Sequence, residues 1–501
     1  LKGHSDLKMH LHLAMNLIET PSWNNAQAAF HKIWGYESFR YPQGEIVQSL
    51  LAQRDTLVIM PTGGGKSICF QLPALLQTGL TLVISPLVAL MENQVQELRQ
   101  REPSFQRSVA LLHSELSGWQ RKQILRSLEQ QELRLLYLSP ETLLSQPVWE
   151  RLCQPTLKIN GLILDEAHCL SQWGNTFRPA YYRLGAVRST LLEHRPAGDR
   201  MAIAAFTATA DPRAQQTIQQ ILQLQEPEVF RLNPYRSNLA LKVQIVWTPR
   251  GRKRQLLNFI QTQPNQSGLV YVRTRRDSEA LAEWLQQQGY RTAAYHAGLG
   301  PEQRRQIEQA WLGDAIQFVV CTCAFGMGIN KPDVRWVVHF HAPSLLSEYV
   351  QEIGRAGRDG RPATALTLIS ETTGWLDAED KTRWQFFENQ TQKQQQIAQQ
   401  LVKKLPAQGE VESIARQFKD GALALSWLHG TGQLHWQTPF HYRLNSKIRK
   451  SSLVESNTKA AQQMPQYLKT RDCRWKFLLN AFGFPDEAKN LHCGRCDNCL
   501  K

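Results

Sequence analysis

The sequence predicts an α/β chain: two parallel-sheet lobes, then a mostly helical region with a small insert and a cysteine-rich end. Three observations predict it. From about residue 33 to 212, short apolar runs alternate with amphipathic helical stretches. A second block alternates in the same way to about residue 370. From about 372 the alternation stops, helical and glutamine-rich patterns take over, and four cysteines gather near the end. Strands that alternate with helices form a parallel sheet covered on both faces.

The strands of the first block are TLVIM, TLVISP, LRLLYLSP, GLILDEAH and MAIAAFTATA; those of the second are SGLVYVRT, RTAAYH, QFVVCT, VRWVVHF and TALTLIS. Such near-continuous apolar runs suit strands buried on both faces. Segments such as Ser278–Gln288 read as the intervening helices, and the crossover between lobes falls near Asp211–Asn238. Asn389–Gln400 is polar, but glutamine is a fair helix former, so it reads as a polar-faced helix. In Glu410–Leu444, apolar Val411, Ile414, Ala415 and Phe418 precede a break at Asp420-Gly421 and a second run, Ala422 to Leu428. The stretches LHW and PFHYRL follow Gly430-Thr431-Gly432. Helix, turn, helix, ribbon is a winged-helix outline; a packing element with a hairpin fits it equally.

Bulk properties narrow the class. A chain of 501 residues implies about three or four domains. No stretch approaches the ~20 apolar residues of a membrane span. The first residues carry His4, His10, His12 and Asn16 and lack a signal-peptide core. Residue 1 is leucine, so where the protein starts is open. Lys+Arg 58 against Asp+Glu 43 gives +15, which favours a polyanionic partner. Of nine cysteines, Cys69, Cys153, Cys169, Cys321 and Cys323 are scattered and read as reduced core residues, which fits a cytosolic compartment.

Met60–Ser67, MPTGGGKS, follows the apolar run Leu57–Met60. A strand feeding a glycine-rich turn aims backbone N–H groups at phosphate oxygens, and the next helix adds its positive end. Thr62, Gly63, Gly64 and Gly65 would cradle the phosphates, Lys66 would reach the outer ones, and Ser67 would ligate Mg²⁺. Taken alone, the loop could be a plain tight turn. Asp165-Glu166-Ala167-His168 ends the strand-like Leu157–Leu164, where an open α/β sheet places its ligand. Asp165 would hold the Mg²⁺ shell, and Glu166 would orient and deprotonate the attacking water. An exposed Asp-Glu pair at a helix start is the plainer alternative.

Cys473 with Cys493, Cys496 and Cys499 offers two overlapping C-x-x-C steps and a fourth thiolate. Four soft ligands with no open position suit structural Zn²⁺. A redox pair is the rival, and His492 is a weaker candidate ligand.

Together these segments resemble the RecQ family of ATP-dependent DNA helicases, densely over about 30–368 and again over 465–500. The family's lobes are RecA-like. Gly35–Gln43 resembles its nucleotide-base motif, which implies Phe39, Arg40 and Gln43 around the base, with the Gln43 amide on the adenine edge. Ser85-Pro86 and Ser139-Pro140-Glu141 are similar to loops that hold a single strand. Ala205–Ala210 resembles the motif linking ATP state to strand grip, and Tyr295–Gly298, with His296, belongs to a strand-contact region. Thr322–Asp333 and Gln351–Gly360 resemble the last two motifs, which implies Gln351, Arg355 and Arg358 at the nucleotide, with Arg358 as arginine finger. As residues alone, Arg355 and Arg358 stand three apart on one helical face and could point across a cleft, or could form surface salt bridges.

Ser171–Pro179 resembles the family's aromatic-rich loop, implying Trp173, Phe177 and Arg178 on single-stranded DNA. Here Asn175-Thr176 replaces an expected His-Asp, which implies altered coupling between DNA and hydrolysis. The chain stops at Lys501, just past the last zinc cysteine, as in a short form without the usual following winged helix. The long interval from Gly360 to Cys473 then holds a candidate replacement for duplex binding. The expected divisions are an extension over 1–29, lobes over 30–212 and 213–370, a connector over 371–404, the insert over 405–455 and a zinc module over 456–501. The resemblance implies a 3′–5′ DNA helicase in repair or recombination, using ATP, Mg²⁺ and structural Zn²⁺ on single-stranded and forked DNA, with no membrane role. A DNA-annealing scaffold and an RNA-directed helicase are the alternatives.

Overall fold

The computed structural model describes residues 23–171, 178–325, 329, 331–371, 375–445 and 462–501. Lobe 1 holds β1 (Thr56–Ile59), β2 (Leu80–Ile84), β3 (Val109–Leu112), β4 (Leu135–Leu138), β5 (Ile159–Leu164), β6 (Ala202–Thr207) and β7 (Glu228–Arg231). They stand in the order β3-β4-β2-β5-β6-β1-β7, all parallel. Lobe 2 holds β8 (Leu239–Val246), β9 (Gly268–Tyr271), β10 (Thr292–Tyr295), β11 (Phe318–Cys321), β12 (Trp336–His339) and β13 (Ala363–Ser370). Their order is β10-β11-β9-β12-β13-β8, again parallel. The central strands are buried along their whole length, which is why they read as unbroken apolar runs. In lobe 1, β5, β6 and β1 are neighbours, so the loops leaving their C-terminal ends share one crevice.

Three divisions differ from expectation. The helix Pro212–Leu222 and β7 belong to lobe 1, because β7 pairs with β1 from Thr56–Glu228 to Ile59–Arg231. Lobe 2 therefore starts at β8, not at 213. Both flanking strands are edge strands with mixed exposed positions: Val229 and Arg231 in β7, and Lys242 and Ile245 in β8. Nor does the extension run to 29. The helix Trp23–Trp34 buries Ala26, Phe30 and Trp34 against lobe 1.

The third difference concerns the insert. A helix, Glu379–Val402, leads into β14 (Gln408–Glu410), helices Val411–Gln417 and Gly421–Gly430, and the hairpin β15 (Leu434–Trp436) and β16 (His441–Leu444). The small antiparallel sheet has the order β14-β16-β15, so the expected outline is present over 408–444. The second helix, the one a winged helix lays in a DNA groove, is not open to a duplex. Ala424, Leu425, Ser426, Trp427 and Leu428 are buried, and it packs on the 3-10 segment Pro179–Ala186 of lobe 1. Leu401, Leu405, Val411, Ile414, Leu428 and Trp436 join the same apolar core as Leu143, Leu170 and Tyr182. Residues 446–455 of the expected insert lie outside the described residues.

The C-terminal helix Arg474–Ala481 and the later Asp497 meet the edge of β8 that no strand pairs with. Asp497 N donates to Leu241 O at 3.1 Å, its Oδ2 accepts from Val243 N at 3.1 Å, and Trp475 Nε1 donates to Leu239 O at 3.0 Å. Among the described residues, no helix is long and apolar enough to cross a membrane.

Candidate active site

The loop after β1 turns through Gly63 (φ +84°) and Gly65 (φ +77°), a backbone region that L side chains rarely adopt. Gly65 precedes the helix Lys66–Leu76, so the helix N-terminus opens on the crevice. Lys66 Nζ donates to Met60 O at 3.1 Å, folded back over the loop. Burial pushes its pKa down, against the pull of Glu166 and Asp165. Gln43 is also turned onto the loop: its Nε2 donates to Gly64 O at 2.9 Å and its Oε1 accepts from Arg40 N at 3.0 Å. Its amide is thus spent on protein groups. Phe39 stacks on Phe30 with ring centroids 4.0 Å apart, and Arg40 is exposed beside it.

Asp165 and Glu166 leave the end of β5 buried and adjacent. Glu166 takes a left-handed φ of +55°. Asp165 Oδ1 accepts from Glu166 N at 3.0 Å and Oδ2 from Gln94 Nε2 at 3.1 Å. Glu166 Oε2 lies 3.2 Å from His168 Nδ1, which is also 3.2 Å from Thr207 Oγ1. Burial and then the charge of Glu166 push the Asp165 carboxyl up. Burial also raises Glu166, but the His168 ring, Lys66 and Arg355 outweigh it and hold this carboxyl down. Two buried carboxylates beside a phosphate loop form a site that a divalent cation would stabilise. Asp165 and Ser67 would be the residues to hold Mg²⁺.

Gln94 gave no motif signal; it lies nearly two turns into the helix Val88–Arg101. Gln94→Leu is expected to raise the Mg²⁺ needed for half-maximal ATPase about 10- to 100-fold, the usual cost of losing a partner of a metal ligand. A Mg²⁺ titration of turnover checks this.

Lobe 2 closes the crevice. Thr62 Oγ1 donates to Gly354 O at 3.0 Å. A Cβ on Gly354 would come within 2.8 Å of that hydroxyl, so the approach requires glycine. The Arg358 side chain faces Gly63, with Cδ 3.9 Å from where a Cβ would sit, and its Nη1 donates to Ile329 O at 3.1 Å. Burial, then Arg355, push its pKa down to about 10. The two arginines do not share a helical face as expected. The helix Leu346–Ile353 ends before them, and they sit in the turns that follow, where Gly357 takes φ +59°. Gln351, on that helix, lines a small inter-lobe gap with Thr62, Thr209 and Trp475.

Glu352 was missed in the sequence. It accepts from Arg273 Nη1 and Nη2 at 3.0 and 2.8 Å, and its Oε2 lies 2.9 Å from His339 Nε2. Burial opposes its charge, but Arg273 and His339 hold its pKa down to about 2. This buried pair fixes the helix that delivers Arg355 and Arg358.

The expected strand contacts are placed unevenly. Trp173 and Phe177, and with them Asn175-Thr176, lie outside the described residues. Arg178 is half-exposed, 3.6 Å from Glu141. With Pro86, Ala297 and Arg304 it lines a cleft of about 920 Å³ between the lobes. Ser85 and His296 correct the expectation. Ser85 is 1% exposed and His296 4%. One His296 nitrogen lies 2.9 Å from Glu279 Oε1 and the other accepts from Gly298 N at 3.1 Å. The ring therefore shapes its turn and offers no face to a strand.

The Sγ atoms of Cys473, Cys493, Cys496 and Cys499 all lie within 4.8 Å of one another, a spacing that fits one tetrahedral ion. Backbone N–H groups of Arg474, Cys493 and Cys496 point at Sγ atoms of the set from 3.3–3.5 Å, which stabilises thiolates. The segment DCRWKFLLNAF reads as an amphipathic helix containing Cys473, but Cys473 instead stands at the N-cap position, just before the helix Arg474–Ala481. His492 is not part of the group.

Family profiles match in the same order. The DEAD/DEAH box helicase profile covers residues 40–218, the helicase conserved C-terminal domain 251–360, and RecQ zinc-binding 441–500. The chain is 53% identical over 474 residues to the ATP-dependent DNA helicase RecQ of Synechocystis sp., covering 95% of this chain and 98% of that protein. The chain belongs to the RecQ family of ATP-dependent DNA helicases. It is also 41% identical to the RecQ of Pasteurella multocida, covering 72% of this chain and 55% of that protein. To the RecQ of Bacillus subtilis it is 31% identical, covering 95% of this chain and 67% of that protein. Among solved structures, the DEAD-box helicase Mss116 bound to ssRNA and UDP-BeF shares the fold with TM-score 0.59 at 16% identity, covering 70% of this chain and 75% of that one. Mycobacterium smegmatis Lhr bound to ssDNA and AMP-PNP does so with TM-score 0.58 at 17% identity, covering 89% of this chain and 62% of that one.

As a RecQ helicase the protein uses ATP with Mg²⁺ and carries a structural Zn²⁺. The RecQ zinc-binding match contains all four clustered cysteines. Cys496→Ser is expected to release the ion and lower Tm by at least ~3 °C, the shift that about 1 kcal/mol produces at this domain size. Elemental analysis and calorimetry check it.

Proposed function

We propose that this RecQ helicase runs as a two-lobe motor on single-stranded and forked DNA, moving 3′ to 5′ and parting duplexes in repair or recombination in the cytosol. The observation that carries the motor reading is the contact of the two lobes at the phosphate loop: Thr62 on Gly354, and Arg358 against Gly63. In this reading the loop amides and Lys66 hold the triphosphate, and Glu166 takes the proton of the attacking water. Bound Mg²⁺ supplies charge neutralisation on the outer phosphates. Arg358 and Arg355 add positive charge from lobe 2, so the lobes close on ATP and part after hydrolysis. The net charge of +15 and the inter-lobe cleft at Pro86 and Arg178 support a nucleic-acid track.

The test is ATPase stimulation by matched DNA and RNA oligonucleotides, with strand displacement on 3′- and 5′-tailed forks. DNA-selective stimulation and displacement from the 3′ tail are expected. Equal stimulation by RNA would point to the RNA-directed alternative, and annealing without turnover to the scaffold.

A further inference from the structure

The module at 405–445 has no part in the motor just described, and its second helix is buried on lobe 1. We propose that it is a positioning element for hydrolysis: seated on lobe 1, it holds the turn that presents Glu166 and His168. This rests on the role given above to Glu166.

The seat has four contacts. Ser426 Oγ donates to Pro179 O at 3.1 Å, and Arg183 Nη1 donates to Pro439 O at 3.3 Å. Phe440 meets Trp149 edge-on at 5.1 Å, and His429 meets Tyr182 edge-on at 6.1 Å. From there the path to the catalytic pair is short. Tyr182 is fully buried, and its hydroxyl donates to Leu170 O at 2.8 Å. Leu170 closes the 3-10 turn Ala167–Leu170, which begins directly after Glu166. Ser171 Oγ donates to His168 O at 2.9 Å, and His168 stands 3.2 Å from Glu166. Glu166 itself is in the left-handed region, a conformation a glutamate keeps only when its surroundings impose it. The buried face of the module is thus the back wall of the turn. Its outward face carries the exposed Arg443.

Removing the module would bare the core it shares with lobe 1, so point variants are the test. Tyr182→Phe deletes one hydroxyl at constant shape. Phe440→Ala loosens the seat from the module side. Arg443→Ala alters only the outward face. The first two are expected to lower kcat about tenfold, within the ~10²-fold that a 1 Å misplacement can cost. KM for ATP and the half-saturating single-strand concentration should stay within about twofold, the pattern of a lost transition-state interaction. The outward-face variant should keep kcat. Unchanged kcat in both Tyr182→Phe and Phe440→Ala overturns the proposal. So does a kcat loss that excess DNA restores, which would make the module part of the DNA surface. If the wild type shows no DNA stimulation, the DNA reading fails instead, and the same variants are scored on DNA-independent turnover.

Discussion

Glu166→Gln abolishes ATP turnover and leaves single-strand binding intact; Lys66→Ala does the same for a different reason. Glutamine keeps the size of Glu166 but cannot take a proton. Loss of a general base costs about 10²- to 10⁴-fold. The side chain stands in a buried cluster with Asp165, His168 and Lys66. Lys66→Ala removes the one ammonium folded over the phosphate loop and leaves Asp165 and Glu166 less well neutralised. Neither residue lies on the cleft lined by Pro86 and Arg178, so DNA affinity should be retained. Steady-state ATPase and fluorescence anisotropy with a labelled oligonucleotide read both quantities. Substantial turnover in either variant would falsify the assignment of the site.

Arg358→Ala lowers kcat about 10³- to 10⁵-fold, the range for losing an arginine finger. Arg358→Lys should recover little, because an ammonium cannot reproduce the guanidinium fork. The side chain faces Gly63 of the opposite lobe, and its Nη1 donates to Ile329 O in its own lobe. Burial and then Arg355 hold its pKa down to about 10, and an incoming triphosphate would bring the opposite charge to it. Glu352→Gln should act in the same direction more weakly. It leaves Arg273 and His339 without their buried carboxylate and frees the helix that delivers both arginines. Single-turnover ATP hydrolysis separates the two: Arg358 variants should slow the chemical step alone, and Glu352→Gln should also lower Tm.

The central strands and the chemistry at their ends were legible because burial on both faces leaves an unmistakable apolar run. MPTGGGKS and DEAH carried their own structural context, since each follows such a run. Of the edge strands, β10 was legible as RTAAYH, but β3, β7 and β8 were not. EVFR at β7 alternates half-buried and exposed residues, and β3 is only VALL; nothing in either distinguishes strand from linker. The lobe boundary was misplaced for that reason. Gln94, Arg273 and His339 escaped because their roles depend on contacts with residues 71, 79 and 13 positions away. The insert was legible as an outline but not in its use. An apolar helix such as GALALSWLHG shows that it is buried, but not against what. The arginine pair was read as helical from its spacing, but the helix ends at Ile353 with Gly354 as its cap, and Gly357 turns the chain between the two arginines.

Everything depends on whether a triphosphate bridges the lobes. A crystal structure with Mg²⁺ and a non-hydrolysable ATP analogue tests this most directly. The account predicts Lys66 Nζ turned from Met60 O to the outer phosphates, Asp165 on the metal side, and the Arg358 guanidinium within hydrogen-bond distance of the terminal phosphate. A nucleotide bound elsewhere, with Arg358 still on Ile329 O and Thr62 still closed on Gly354, would contradict it.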